Sequence, residues 1–196
     1  MEVVFNIPNI ITIVRMALTP LFAYLFVIGH YNASFWVYCV ISWSDALDGF
    51  IARYWKLRTD FGAFIDPLAD KLLNTVGFVL LSYYGHIPVW LCVLVMARDA
   101  VILITVRVFW SLGRTVEFKP AATGKIATIL QLLTVAYALY NASVGSSAHG
   151  YFPMAPLWLY EIVVYMTGVF TIISWYVYMV REYKVQYGDS SKSNQK

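Results

Sequence analysis

Four aspartates in one short segment are the residues of this 196-residue chain best suited to chemistry. They are Asp45, Asp48, Asp66 and Asp70. Carboxylates placed close together repel one another unless protons or cations neutralise them. Carboxylate oxygens suit Mg²⁺ or Mn²⁺ rather than zinc, and residues 45–70 contain no histidine or cysteine. The segment therefore predicts a divalent-cation site, and a two-metal site would suit phosphoryl or phosphodiester transfer.

The spacing of the aspartates predicts that they meet where two helices face each other. The members of the first pair, Asp45 and Asp48, are three residues apart and those of the second pair are four apart, so each pair lies on one face of a helix. A turn at about 55–60 would make the two helices antiparallel neighbours and bring all four carboxylates into one cleft. The alternative is that they are ordinary solvated helix ends, an interpretation that suits Asp60 as an N-cap.

Small and basic residues lie between the aspartates. Gly49, Ala52 and Gly62 leave room for a phosphate-bearing ligand near the backbone, although small residues serve close helix packing equally well. Arg53 could bind a phosphate through its guanidinium or anchor the chain at a membrane surface. These residues favour a phosphate-bearing substrate at the membrane.

The elements that must position these residues are strongly apolar. Hydrophobic residues make up 60% of the chain, charged residues 13%, and the mean hydropathy is +0.65. A membrane-spanning helix needs about 20 mostly apolar residues. The sequence predicts six: 10–29, 33–54, 61–84, 88–110, 121–142 and 155–181. We therefore expect an all-α polytopic membrane domain over residues 1–183, with a short N-terminal juxtamembrane segment and a polar cytoplasmic tail at 184–196.

Basic residues predict the orientation of these helices, because cytoplasmic connections carry an excess of Lys and Arg. The connections after the second and fourth segments and the C-terminal end are basic. The loops at 30–32, 85–87 and 143–154 contain no Lys or Arg. Both termini and the aspartates should therefore face the cytoplasm.

The aspartate spacing resembles the signature of a known family. Asp45-x2-Asp48-Gly49-x2-Ala52-Arg53-x8-Gly62-x3-Asp66-x3-Asp70 is similar to the motif of the CDP-alcohol phosphotransferases, also called CDP-alcohol phosphatidyltransferases. Asn6-Ile7-Pro8-Asn9-x2-Thr12-x2-Arg15 resembles an N-terminal motif of the bacterial members. The resemblance implies a homodimeric inner-membrane enzyme that transfers the phosphatidyl group of CDP-diacylglycerol to an alcohol and releases CMP.

The resemblance also implies roles for individual residues. All four aspartates would ligate Mg²⁺ or Mn²⁺, and Asp70 would also act as the general base that takes the proton of the acceptor hydroxyl. Gly49, Ala52 and Gly62 would make room for the CMP moiety, and Arg53 would hold the diphosphate.

The acceptor alcohol depends on residues farther along the chain. The first half resembles phosphatidylglycerophosphate synthases, which use sn-glycerol 3-phosphate, and Arg98, Arg107 and Lys125 are candidates to bind its phosphate. The chain departs from those enzymes at three positions: Asp99 replaces a glutamate, Val106 replaces an arginine, with Arg107 one residue later, and Ala127 replaces a lysine. We predict glycerol 3-phosphate as the acceptor.

Two main alternatives remain at this point, and inositol phosphate and serine rank below them as acceptors. The Arg98-Asp99 pair also resembles cardiolipin synthases, which use phosphatidylglycerol, and fewer basic groups would suit that acceptor. A cation channel or transporter with an acidic ion site is the alternative from a different class. The acids are concentrated at one membrane face, which favours the enzyme.

Overall fold

The computed structural model describes residues 7–54, 60–111, 122–146 and 156–188, and its side chains over 14–44, 71–104, 122–145, 156 and 158–180. Within these residues the regular structure is entirely α-helical, and no strand is present. The helices are α1 (Ile7–Val27), α2 (Tyr31–Tyr54), α3 (Asp60–Tyr83), α4 (Val89–Ser111), α5 (Ala122–Ser146) and α6 (Leu157–Gly188). The predicted all-helical class and each of the six predicted helical segments are confirmed.

Two glycines end α1 and α3 at the same end of the bundle. Gly29 and Gly85 follow α1 and α3 with φ of 82° and 78°, which glycine adopts without steric cost. The amides of His30 and His86 donate to carbonyls five residues earlier, at 2.9 and 2.7 Å, which closes both helices in Schellman motifs. Each glycine thus ends the first helix of an antiparallel pair, α1–α2 or α3–α4, and the chain reverses direction into the second helix.

The helices pack as two four-membered rings that share α3 and α5. α1 contacts α2 and α3, α5 contacts α2, α3 and α6, and α4 contacts α3 and α6. α2 and α3 are therefore linked through α1 and α5, each of which contacts both. Their predicted direct contact around the aspartates falls on side chains outside the described residues. Large side chains fill the interior, among them Phe22, Phe26, Tyr38, Phe78, Leu81 and Leu91.

Two helices are long and apolar enough to cross a bilayer within the described residues: Ala122–Gly145 in α5 and Trp158–Val180 in α6. Many of their large apolar side chains point outward, including those of Trp158, Ile162 and Val169. α6 continues to Gly188, so it extends beyond the apolar segment into the residues interpreted as a polar tail. The remainder of that tail lies outside the described residues.

Aromatic rings close the end of the bundle where α1 and α3 end. The His86 ring meets the rings of Phe26 and Tyr31 edge-on, with centroids 6.0 Å apart in each case. The Tyr160 hydroxyl donates to the backbone carbonyl of His86 and so ties the start of α6 to this loop. Burial among these groups lowers the pKa of His86 below its ordinary value.

Candidate active site

The level of each aspartate along the bundle follows from contacts that fix how α2 and α3 lie beside α5. α2 runs antiparallel to α5, because Phe35 contacts Tyr140 and the Tyr38 hydroxyl donates to the carbonyl of Leu132 at 3.3 Å. Asp45 is seven residues after Tyr38, and Lys125 is seven residues before Leu132. At about 1.5 Å per residue, both lie roughly 10 Å from that contact in the same direction. The contact of Phe35 with Tyr140 gives a level five residues deeper, so the backbone of Asp45 is level with residues 125–130 of α5.

The register of α3 gives the same level. α3 runs parallel to α5, because Asn74 Nδ2 donates to Gln131 Oε1 at 3.1 Å and Gly77 faces Val135 one turn later. The backbone of Asp70, four residues before Asn74, is therefore level with residue 127 of α5. Asp66 is level with residue 123. The two aspartate pairs thus belong to the end of the bundle at which α3 and α5 begin and α2 and α4 end, hereafter the charged end.

The side chains of the predicted metal and nucleotide residues lie outside the described ones. Their backbones are helical and belong to two elements, α2 and α3. α2 carries Asp45, Asp48, Gly49, Ala52 and Arg53, and α3 carries Gly62, Asp66 and Asp70. Where side chains are described, no group of three or more His, Cys, Asp or Glu could hold a metal. The predicted ligand set stays a prediction.

Four helices meet at Arg98, in what we call the Arg98 cluster: Lys71, Arg98, Asp99, Gly124 and Ser174. Arg98 Nη1 lies 2.7 Å from Asp99 Oδ1, and Nη2 donates to Ser174 Oγ at 3.1 Å. Lys71 Nζ lies 2.5 Å from the same Asp99 oxygen. A Cβ on Gly124 would lie 3.6 Å from Arg98 Nη2, so the guanidinium adjoins the first turn of α5. The cluster thereby joins α3, α4, α5 and α6.

The charges of the Arg98 cluster are compensated unequally. The side chains of Arg98 and Asp99 are 5% and 11% exposed, whereas that of Lys71 is 26% exposed. An isolated buried charge is costly, and Asp99 is the carboxylate that neutralises the guanidinium. Two cations share one carboxylate, so the cluster keeps one positive charge. That charge lies on the residue that follows Asp70.

The predicted acceptor residues have different environments. Arg98 is buried in the cluster, whereas Lys125, adjoining Gly124 in the first turn of α5, is exposed. Arg107 is in α4, nine residues beyond Arg98 toward the charged end, and its side chain lies outside the described residues. Ala127, at the position of the replaced lysine, is fully buried. The structure therefore brings Arg98 and the start of α5 together.

A row of buried polar side chains runs from this cluster into the bundle between α3, α5 and α6. Gln131 accepts from Asn74 and donates to Thr171 Oγ1 at 3.4 Å. One turn farther on, the hydroxyls of Thr134 and Thr167 lie 2.7 Å apart. Gln131 is 1% exposed and the three threonines are fully buried. Hydrogen bonds of this kind hold helices together in an apolar bundle and fix their register.

Neither Lys71 nor Ser174 was predicted to have a functional role. Lys71 follows Asp70 directly, about three turns into α3, and its neighbours in the sequence identify no partner. Ser174 is a small polar residue in a long apolar helix. Charged and polar groups are costly among apolar helices, so the sequence indicates that both residues have partners. It does not indicate which residues those partners are.

Comparison with known proteins agrees with the motif. The family model for CDP-alcohol phosphatidyltransferase matches residues 5–180. The CDP-diacylglycerol–glycerol-3-phosphate 3-phosphatidyltransferase of Escherichia coli (strain K12) is 32% identical over 174 residues, which cover 84% of this chain and 94% of the relative. The cardiolipin synthase (CMP-forming) of Homo sapiens is 32% identical over 151 residues, which cover 69% of this chain and 50% of the relative. Since the family model spans nearly the whole helical chain, including every residue of the aspartate motif, this protein belongs to the CDP-alcohol phosphatidyltransferase family.

Proposed function

We propose that this enzyme transfers the phosphatidyl group of CDP-diacylglycerol to sn-glycerol 3-phosphate, with release of CMP. The observation that carries the proposal is the shared level of the backbones of the four aspartates, the Arg98 cluster and Lys125 at the charged end of the bundle. Carboxylates suited to cations and basic groups suited to an acceptor phosphate are thus at the same depth. Family membership favours this enzyme over a cation channel or transporter.

The chemistry of the donor set fits a divalent cation. Four carboxylates on two helices supply the hard oxygen ligands that Mg²⁺ and Mn²⁺ prefer, and their mutual repulsion would be relieved by bound cations. Asp45, Asp48, Asp66 and Asp70 would hold a two-metal site. When bound, the ions supply electrostatic stabilisation of charge that develops on the phosphoryl oxygens.

The residues of the chain account for the remaining steps. Asp70 accepts the proton of the acceptor hydroxyl while the hydroxyl oxygen attacks the phosphorus of the phosphatidyl group. The bond from that phosphorus to the bridging oxygen breaks, and the electron pair leaves with CMP. Arg53 binds the diphosphate, and the absence of side-chain bulk at Gly49, Ala52 and Gly62 admits the nucleotide.

Glycerol 3-phosphate is the proposed acceptor because the Arg98 cluster and Lys125 together carry an excess of positive charge. Lys71, Arg98 and Lys125 outnumber Asp99 by two charges, which suits a phosphomonoester. The E. coli relative, matched over 94% of its own length, is named for the same acceptor. One observation favours phosphatidylglycerol instead: Ala127 is buried where the glycerol-phosphate enzymes carry a lysine.

An assay with separate acceptors tests the proposal. Purified protein with labelled CDP-diacylglycerol and Mn²⁺ is offered glycerol 3-phosphate, phosphatidylglycerol, inositol phosphate or serine. We expect product with glycerol 3-phosphate. Product with phosphatidylglycerol alone would make the protein a cardiolipin synthase.

Replacement of the proposed base tests the catalytic assignment. Asp70→Asn keeps the shape of the side chain but cannot take the proton, and general bases contribute about 10²–10⁴-fold to rate. We expect CMP release to fall by that factor. Asp60→Asn, at the start of α3 and outside the motif, is the matched control and should retain wild-type activity. Wild-type CMP release by the Asp70 variant would refute the assignment.

We further propose six membrane spans in a bacterial inner membrane, cytoplasmic termini and a homodimer. The uncharged loops at 30–32 and 85–87 and the basic opposite connections support the orientation. Protease added to inside-out vesicles should remove residues 189–196, and protease added to right-side-out vesicles should not. Native mass spectrometry of the detergent-solubilised protein should give twice the 22.3 kDa chain mass.

A further inference from the structure

Asp99 holds two cations that differ in how freely they can leave it. Arg98 is fixed from both sides, by Asp99 at Nη1 and by Ser174 at Nη2, and its side chain is 5% exposed. Among the described side chains Lys71 has one charged partner, Asp99, and its own side chain is 26% exposed. Of the two, Lys71 is the cation that an incoming anion can reach.

We propose that Lys71 is an acceptor-binding residue that exchanges the Asp99 carboxylate for the anionic phosphate of the acceptor alcohol. This rests on the proposed function, since it deepens the account of the acceptor site. Asp99 then acts as an internal carboxylate that occupies Lys71 until the acceptor arrives. The affinity for the acceptor then depends on how well its phosphate competes with Asp99 for Lys71.

The exchange is physically inexpensive because it leaves no buried charge without a partner. When Lys71 moves to the acceptor, Asp99 keeps its 2.7 Å contact with Arg98, so the buried pair stays neutral. The ammonium group exchanges one anionic oxygen for another of similar hydrogen-bonding capacity. Release of Arg98 instead would break the bond to Ser174 and expose the most buried charge of the cluster.

The position of Lys71 also suits contact with the acceptor. Lys71 follows Asp70, the proposed base, on α3, so the two residues lie in the same turn of that helix. An acceptor whose hydroxyl reaches Asp70 must place its phosphate a few atoms away. Lys71 lies on the α4 side of α3, as its bond to Asp99 shows, and so on the side that carries Arg98.

Two variants of the same ion pair distinguish binding from a structural tie. Lys71→Gln and Asp99→Asn both break the pair while keeping side-chain size, so a merely structural role would change the acceptor KM in the same direction in both variants, whatever their difference in stability. Acceptor binding gives opposite effects on the KM for glycerol 3-phosphate. Loss of the cation should raise that KM at least tenfold, whereas loss of the competing carboxylate should leave it at or below the wild-type value. Lys71→Arg retains the charge and should restore the KM to within about threefold of wild type.

The test uses full-length protein in mixed micelles, with the KM for CDP-diacylglycerol as an internal control that should change less than twofold. Unfolding temperatures with and without glycerol 3-phosphate provide a readout that needs no turnover, and ligand stabilisation should be lost in Lys71→Gln. An unchanged acceptor KM in Lys71→Gln, or parallel KM changes in the Gln and Asn variants, overturns the proposal. If Asp99→Asn does not fold, the comparison of Lys71→Gln with Lys71→Arg decides. A wild-type protein that yields no product with any acceptor refutes the proposed function itself, and stabilisation by glycerol 3-phosphate then judges Lys71 separately.

Discussion

The stability of the Arg98 cluster should depend far more on Asp99 than on Lys71, although both belong to one ion pair. In Asp99→Asn the Arg98 guanidinium, 5% exposed, loses its carboxylate and keeps a neutral amide. Removal of one partner of a buried pair costs about 3–5 kcal/mol because the other charge stays uncompensated. The amide still accepts a hydrogen bond, so we expect the lower figure, about 3 kcal/mol.

Lys71→Gln leaves a different situation. Asp99 keeps Arg98, and the lost cation was partly exposed, so the expected cost is at most about 1 kcal/mol, as for surface ion pairs. For a chain of this size each kcal/mol shifts Tm by about 2–4 °C. We therefore expect Tm to fall by roughly 6–12 °C in Asp99→Asn and by no more than about 4 °C in Lys71→Gln.

Thermal unfolding followed with a thiol-reactive dye measures this difference. Cys92 in α4 is 8% exposed in the folded protein and becomes reactive when the bundle opens. Ser174→Ala is the control: it removes one hydrogen bond from Arg98 without changing any charge, at about 1 kcal/mol. Equal Tm losses in Asp99→Asn and Lys71→Gln would refute the argument, since Arg98 would then not depend on Asp99 for its neutralisation.

Three further predictions follow from contacts elsewhere in the bundle. Gln131→Leu leaves the amide of Asn74 without its acceptor and should cost about 1–3 kcal/mol in the same unfolding assay. Gly29→Ala forces alanine to a φ of 82° and should cost about 1–2 kcal/mol, whereas Gly145→Ala, helical and in open space, should stabilise the fold by up to about 1 kcal/mol. Because burial lowers the pKa of His86, the unfolded chain takes up the proton first on acidification. The contribution of neutral His86 to the stability of the fold is fully present above the ordinary pKa of 6.5 and is lost as the pH falls below it. Tm should therefore be lower at pH 5 than at pH 7.5.

The helices could be predicted from the sequence because their boundaries depend on local chemistry. Gly29 and Gly85 each follow an apolar run and supply the positive φ that ends a helix, and proline precedes α4 and α6. The end of α6 was less predictable. Polar residues mark where a helix leaves the apolar environment but need not end it, and α6 continues to Gly188.

The Arg98 cluster could not be predicted, because its contacts depend on which helices adjoin. Arg98 and Ser174 are 76 residues apart in the chain, and no spacing rule relates α4 to α6. The acidic motif, in contrast, lies in two consecutive helices and has fixed local spacing. Sequence reasoning therefore identified candidate residues on each helix, and the structure assigned partners to those with described side chains.

The shared level of the aspartates and Lys125 depends on contacts far from either. A slip of α5 by one turn, about 5.4 Å, would change which residues of α5 are level with the aspartates and would separate the start of α5 from Arg98. The contacts that oppose such a slip lie one to three turns deeper in the bundle. They are the hydrogen bond of Tyr38 to Leu132 and those of Gln131 to the Asn74 amide and the Thr171 hydroxyl. A slip would repack the apolar side chains, and loss of each of these hydrogen bonds would in addition leave polar groups unpaired in an apolar interior. The buried polar row thus fixes the depth at which the acceptor residues stand opposite the proposed metal ligands.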